Sequence, residues 1–178
     1  MDTKPDGQLT AEVAERLAEY YKDNSFDVLH DHGPDPKNMG TIAAYFGERL
    51  SRKTELSQLD MAIVERSSKK ICALIEVEET SARPKTLLGD VFAALLAEHI
   101  SFKGECLDVC EHASLIVVGK GDESDKAMID HLNQQVEAIR SKMRNAEMKF
   151  GKVVIKLFTD EDDLEKLLRD EIDEKHDC

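Results

Sequence analysis

Two β-type runs separated by five polar residues constrain the fold of this chain more than any other feature. The runs are LDMAIVE (59–65) and ICALIEVE (71–78), and RSSKK joins them. Apolar runs of this length with a short polar connection are typical of an antiparallel hairpin. We therefore expect a sheet that contains at least this pair of strands.

The other patterns predict helices and strands around the hairpin. Amphipathic spacing predicts a helix over 10–24, with Thr10 as its N-cap. A second helix, over 41–51, is predicted from an inward stripe formed by Ile42, Tyr45, Phe46 and Leu50. Further helices are predicted over 86–102, 122–145 and 159–175, and further strands over 25–31, 114–119 and 152–158. This order predicts an α/β fold with a mixed central sheet flanked by helices.

Composition indicates one solvated domain. The chain has 178 residues, of which 41% are hydrophobic and 34% charged, and its formal net charge is −13. Its apolar runs are far shorter than the roughly 20 residues that cross a bilayer. The N-terminus lacks the basic start and apolar centre of a signal peptide, so we expect a cytoplasmic protein.

Two carboxylates in the second run of the hairpin need a physical explanation. Glu76 and Glu78 point to one face of a strand, about 6.6 Å apart. Such a pair in an apolar strand is unfavourable unless a cation or solvent compensates it, and Mg²⁺ with oxygen ligands would do so. Asp60 joins this face if it pairs opposite Glu76, whereas a register one residue different turns it away.

Asp60, followed sixteen residues later by Glu76-x-Glu78, a helix and an apolar strand, resembles the PD-(D/E)xK nuclease superfamily. The common pattern ends in lysine, and the Glu-x-Glu version resembles that of certain type II restriction endonucleases. The resemblance covers about 41–118, to which 122–178 adds a helix, strand and helix. It implies the restriction-endonuclease-like fold and a Mg²⁺-dependent endonuclease, with Mn²⁺ as a substitute ion, that hydrolyses DNA.

The resemblance also implies roles for individual residues. Asp60, Glu76 and the main-chain carbonyl of Val77 would bind the metal ion, while Glu78 would orient or deprotonate the attacking water. An upstream helix would add Glu48 to the site. Two cations just after the strand, Arg83 and Lys85, would lie near the substrate phosphate.

Two other interpretations of the same residues remain open. With glutamate in place of the usual lysine, the domain could be a degenerate member of the fold that serves as a binding or assembly module. Alternatively, EVEE marks the exposed end of a strand in a metal-free α/β protein. A homodimer is compatible with the nuclease interpretation, since cutting both strands of a duplex usually takes two active sites.

Rival motifs offer weaker signals. Residues His30, Asp31, His32 and Asp35 could bind a metal ion, and His99, Cys106, Cys110 and His112 could form a zinc site with unusual spacing. Turn chemistry explains the first set, and reduced buried thiols explain the second. The glycines of 117–126 fit a strand-to-helix turn better than a phosphate loop. Three basic stretches could contact a nucleic-acid backbone, namely 48–53, 65–70 and 140–152.

Overall fold

The computed structural model describes residues 7–32, 37–47, 49–142 and 150–173. In chain order the elements are α1 (Gln8–Tyr20), β1 (Phe26–His30), β2 (Ile42–Tyr45), β3 (Glu55–Leu59), β4 (Met61–Glu65), β5 (Ile71–Glu78), α2 (Pro84–Leu96), β6 (His99–Phe102), β7 (Glu105–Leu107), β8 (Val109–Lys120), α3 (Lys126–Lys142), β9 (Lys152–Phe158) and α4 (Glu161–Asp173). Within this part of the chain, no helix is both long and apolar enough to cross a membrane.

A mixed five-stranded sheet forms the centre of the molecule. Its strand order is β1-β4-β5-β8-β9. The first two pairings are antiparallel and the last two are parallel. The predicted α/β class is confirmed, and the strand that follows α3 completes the sheet at the outer side of β8.

Alternate side chains of the strands face two different helical layers. On β5, Ile75 joins the buried cluster that contains Leu17 of α1 and Leu168 of α4. Its neighbour Leu74 joins the cluster that contains Leu87 of α2 and residues of α3 and the second sheet. The sheet is therefore buried on both faces, which explains the continuous apolar runs of its central strands.

The predicted hairpin is formed by β4 and β5. Met61 pairs with Ile75 and Ile63 with Ala73, whereas an irregularity after Ile63 places Val64 opposite Ile71. If the pairing of Met61 with Ile75 is continued by one residue, Asp60 lies opposite Glu76 and on the same face of the sheet. Register at the open end of the hairpin is thus the one that the metal hypothesis requires.

A second sheet takes the place of one predicted helix and shortens another. Residues 42–45 are strand β2, which lies between β3 and β6 in an antiparallel sheet of order β3-β2-β6-β7. Cross-strand pairing outweighs the helical spacing, and the supposed inward residues Phe46 and Leu50 are exposed. Similarly, the predicted helix over 86–102 ends at Leu96, because its last residues pair with β2 as strand β6.

The first helix begins earlier than predicted. Gly7, with a positive φ of 80°, is the N-cap of α1, so Thr10 lies inside the helix and the prediction that it caps the helix is wrong. A Cβ at Gly7 would lie 2.9 Å from the ring of His32. The left-handed backbone and this close approach together favour glycine.

Candidate metal site

The candidate site lies at the carboxyl end of β5, where the partner strand β4 stops. Ile75 is the last residue of β5 that pairs with β4, and the N–H of Val77, beyond it, donates a hydrogen bond to a side chain. The Oδ2 atom of Asp60 accepts that hydrogen bond at 2.7 Å, just before β4 begins at Met61. Asp60 is thereby held over the end of the ladder.

The end of β1 brings a second carboxylate to the same point. The N–H of Asp31 donates to the main-chain oxygen of Asp60 at 3.0 Å, and Asp31 Oδ1 lies 2.5 Å from Nδ1 of His32. Asp31, His32 and Asp60 each offer a ligand atom within 4.8 Å of the others. This carboxylate hydrogen bond raises the pKa of His32 and fixes its ring.

Burial and mutual repulsion disfavour ionisation of the carboxylates. Burial, followed by the charge of Asp31, raises the pKa of Asp60 to about 7, although the Val77 N–H opposes the shift. Burial, followed by the charges of Asp60 and Asp90, raises the pKa of Glu76. Its Oε2 atom is buried and has no hydrogen-bond partner among the described residues. A cation at this point would remove both penalties.

Glu78 has hydrogen-bond partners that Glu76 Oε2 lacks. Its carboxylate accepts a hydrogen bond from the Thr80 N–H at 3.1 Å and another from the Thr80 hydroxyl. Across the connection to α2, burial and then the charge of Glu78 raise the pKa of Asp90 to about 6. Glu78 therefore extends the acidic surface toward α2 while helping to hold the turn after β5.

Glu79 joins the site to the first helix. Its Oε1 atom accepts a hydrogen bond from the Thr10 N–H at 2.8 Å and another from the Thr10 hydroxyl at 2.5 Å. The carboxylate thus supplies the acceptor that the Gly7 N-cap lacks. A cleft of about 160 Å³ opens here, lined by Gly7, Thr10, His32, Asp60, Val77 and Glu79.

The two cations assigned to substrate phosphate lie at the start of α2. Arg83 and Lys85 are both exposed, and Arg83 Nε donates to Ser81 Oγ at 3.1 Å. Each is within seven residues of Glu78 along the chain. The predicted residues Glu48 and Asp35 lie outside the described residues.

Sequence patterns named the carboxylates of this site but not their grouping. Asp31 and His32 were interpreted as a rival set, whereas the structure joins them to Asp60. The signal was the strand before them: β1 pairs with β4, with His30 opposite Met61, so its end must meet Asp60. The contact between Glu79 and Thr10 has no such signal in the sequence.

The residues of the predicted zinc set are not gathered within the described part of the chain. Among the described residues, the single group of three with ligand atoms within 4.8 Å is the one that contains Asp60. The zinc set is therefore not assembled, and Cys106 lies on β7 while Cys110 lies on β8. Residues 121–125 form a turn capped by Asp122, as the strand-to-helix interpretation predicted.

A larger cleft of about 410 Å³ lies elsewhere, between β9 and α3. Its central polar side chain, Asn133, donates to the carbonyl of Ile155 at 2.8 Å and accepts from its N–H at 2.9 Å. Asn133 thereby closes part of the exposed edge of β9, a structural role. The smaller cleft beside Asp60 has the chemistry of a site.

Scans against protein-family models, curated proteins and solved structures found no match for this chain. The site must therefore be interpreted from its own residues.

Proposed function

We propose that the protein is a metal-dependent nuclease that hydrolyses phosphodiester bonds in DNA. The observation that supports it best is the group formed by Asp31, His32 and Asp60 at the end of β5, whose ligand atoms lie within 4.8 Å of one another. Glu76 is outside that group, but the charge of Asp60 acts on it, and its Oε2 atom is buried and has no hydrogen-bond partner among the described residues. The resemblance to the PD-(D/E)xK superfamily implies the same location. The strand, strand, helix and strand on which that resemblance rests are β4, β5, α2 and β8.

Oxygen donors would hold Mg²⁺ or Mn²⁺ in this site. Asp60 and Glu76 supply carboxylates, and the carbonyl of Val77 points to the same side of β5 as its N–H, toward Asp60. Asp31 adds a carboxylate within reach of Asp60. His32 holds Asp31 by a hydrogen bond, and its ring nitrogen makes Mn²⁺ a suitable test ion.

The reaction would be in-line hydrolysis. A metal ion held by these residues would supply Lewis-acid chemistry, lowering the pKa of a bound water and stabilising charge on the phosphoryl oxygens. The water oxygen would bond to phosphorus and give its proton to a base, while the bond from phosphorus to the leaving oxygen breaks and that oxygen takes a proton from solvent. Glu78 would be that base, and the exposed Arg83 and Lys85 would attract the substrate phosphate.

A degenerate, non-catalytic binding module is the second candidate function. It is favoured by one contact: the Glu78 carboxylate is held by Thr80. A base must turn from Thr80 to meet a water near the metal ion. Under this candidate the domain binds or assembles with a partner, and its carboxylates take no part in hydrolysis.

Calorimetric titration with Mn²⁺ tests the metal site first. We expect saturable binding to the wild type and at least 100-fold weaker binding to Asp60→Asn. An asparagine oxygen can still accept the Val77 hydrogen bond, so the variant should fold. The matched control is Asp170→Asn, an exposed residue on α4 with the same change in charge.

Cleavage of labelled duplex DNA in Mg²⁺ then separates the two functions. Hydrolysis that Asp60→Asn abolishes and Asp170→Asn retains supports the nuclease. Metal binding without hydrolysis of DNA or RNA supports the binding module. No Mn²⁺ uptake, either alone or with an oligonucleotide present, removes the main support for the nuclease and leaves the binding module.

A further inference from the structure

The loop between β2 and β3 is a locally basic segment of an acidic protein. Residues 46–54, termed here the basic arm, contain Arg49, Arg52 and Lys53 and a single carboxylate, Glu48. The whole chain has a formal net charge of −13. A local positive potential on such a protein is suited to a polyanionic partner at one place rather than over the whole surface.

The cations of the basic arm are available for binding. Arg49, Arg52 and Lys53 are exposed, and none forms an ion pair or side-chain hydrogen bond within the described part of the chain. Two apolar side chains lie among them: Phe46 is 56% exposed and Leu50 is 37% exposed. Free cations beside exposed apolar groups are typical of surfaces that contact both phosphates and bases.

The other two basic stretches use their arginines structurally. Arg66 donates to the Asp27 carboxylate at 2.8 Å and to the main-chain oxygen of Asn24 at 2.7 Å. Arg140 is buried and donates to the main-chain oxygen of Phe150 at 2.9 Å. The basic arm is therefore the basic stretch in which every described Arg and Lys side chain lacks an ion pair or hydrogen bond to the described residues.

Hydrogen bonds order the basic arm around one threonine. The Thr54 hydroxyl donates to the main-chain oxygen of Arg49 and accepts from the Ser51 N–H at 3.2 Å. The Phe46 N–H donates to the main-chain oxygen of Thr54 at 2.8 Å. A preformed loop loses less conformational entropy when it binds.

The basic arm is connected to the candidate metal site by a single strand. β3 runs from Glu55 to Leu59, and Asp60 follows it directly. Five residues of extended strand separate the arm from Asp60 by roughly 17 Å. That length corresponds to about half a helical turn of B-form DNA.

We propose that the basic arm binds the backbone of a nucleic-acid duplex whose scissile phosphate lies at Asp60. This inference rests on the proposed function. Arg49, Arg52 and Lys53 contact phosphates about half a turn from the cut, and Phe46 contacts a sugar or base. The arm supplies the attraction that the carboxylates of the site oppose.

Binding of a fluorescent DNA duplex of about two helical turns, with Ca²⁺ in place of Mg²⁺, tests the proposal. Affinity is measured by anisotropy between about 50 and 200 mM salt for the wild type and Arg49→Gln/Arg52→Gln. Losing two phosphate contacts should lower the slope of log K against log salt by about 2. Lys69→Gln/Lys70→Gln, at the far end of the β4 to β5 hairpin, is the control with the same change in charge and should keep the slope.

A second variant tests the apolar contact. Phe46→Ser should weaken duplex binding by about tenfold while leaving the salt slope unchanged. If both double variants lowered the slope equally, DNA would be attracted by the overall charge of the protein, and the proposed role of the basic arm would be overturned. Binding to anionic vesicles but not to duplex, lost in Arg49→Gln/Arg52→Gln, would overturn it in favour of a membrane surface.

The outcome is separable from that of the proposed function. If the wild type binds no duplex, the arm proposal fails, whereas the metal site is judged by the Mn²⁺ titration. If the wild type binds and cuts DNA and the arm variant does both equally well, the proposed function holds and the arm proposal fails.

Discussion

Two sites with buried carboxylates border the same five-stranded sheet, and their charges are balanced in opposite ways. At the end of β5, burial and neighbouring carboxylates raise the pKa values of Asp60 and Glu76. On α4, burial acts to raise the pKa of Glu171, but hydrogen bonds from Lys152 and Lys156 outweigh it and the pKa is lowered. Burial is common to both, so the presence of cations makes the difference.

The comparison separates a structural charge from one that awaits a ligand. Glu171, 4% exposed, is held by two lysines of β9 and joins α4 to the sheet. Asp60 and Glu76 have carboxylates as neighbours, an arrangement that lowers the stability of the folded protein until a cation binds. Functional sites often have this property, because stability is sacrificed for binding.

Adding a divalent ion should give the site at Asp60 the balancing positive charge that Glu171 already has. This change has the largest expected effect on stability. At Mn²⁺ concentrations 100-fold above Kd, the free energy of unfolding should rise by about 2.7 kcal/mol, and Tm should rise with it. Thermal melts with and without Mn²⁺ measure this gain. At the same Mn²⁺ concentration Asp60→Asn should gain less than about 0.5 kcal/mol, whereas an equal gain in that variant would place the ion elsewhere.

Removing the structural charge should destabilise the protein. Glu171→Gln leaves two lysines facing α4 without their carboxylate, and we expect a loss of about 2 kcal/mol because both lysines are partly exposed. Urea denaturation measures it. The neighbouring exposed Asp170→Asn should change stability by less than about 0.5 kcal/mol. If Glu171→Gln left the free energy of unfolding unchanged, hydration of the two lysines would be as favourable as their contact with Glu171.

Replacing the carboxyl group of Glu76, whose Oε2 atom has no partner among the described residues, should raise the free energy of unfolding. In metal-free buffer at pH 8, Glu76→Gln should stabilise the protein by about 1.5 kcal/mol. Burial raises the pKa of Asp60 to about 7 and that of Glu76 to about 10, so the stability that their protonated forms contribute is fully present below about pH 4 and is lost as pH rises through these two values. The gain should therefore vanish near pH 4, and urea curves across this range would contradict the assignment if the gain were constant.

Replacing Glu79 should have the smallest effect on stability, because its carboxylate is balanced by hydrogen bonds and not by a lysine. Glu79 accepts hydrogen bonds from Thr10 at the start of α1, so its charge is balanced by a helix N-terminus. Glu79→Ala should cost about 1 kcal/mol through loss of this cap. Thr10→Val, which removes only the hydroxyl bond, should cost less. A larger loss for Thr10→Val would show that the hydroxyl, not the N–H, is the main partner.

Local patterns in the sequence predicted the elements whose signals were strong. The hairpin of β4 and β5, the strand β9 and the helices α1, α3 and α4 were predicted, and each has either a continuous apolar run or a regular amphipathic spacing. The same runs placed Glu76 and Glu78 on one face of β5. These features follow from the period of a strand or helix and need no knowledge of the partners.

The structure alone decided where the partners lie. Residues 42–45 have helical spacing, yet they form β2 because β3 and β6 satisfy their backbone on both sides. From the sequence alone, the hairpin could pair Asp60 with Glu76 or be shifted by one residue. The irregularity after Ile63 gives the pairing in which Asp60 faces Glu76. The pairing of β1 with β4 then brought Asp31 to Asp60 across about 30 residues of chain. Side-chain periodicity is a local property, whereas pairing and burial depend on residues distant in sequence, so the carboxylate pair could be predicted and the complete site could not.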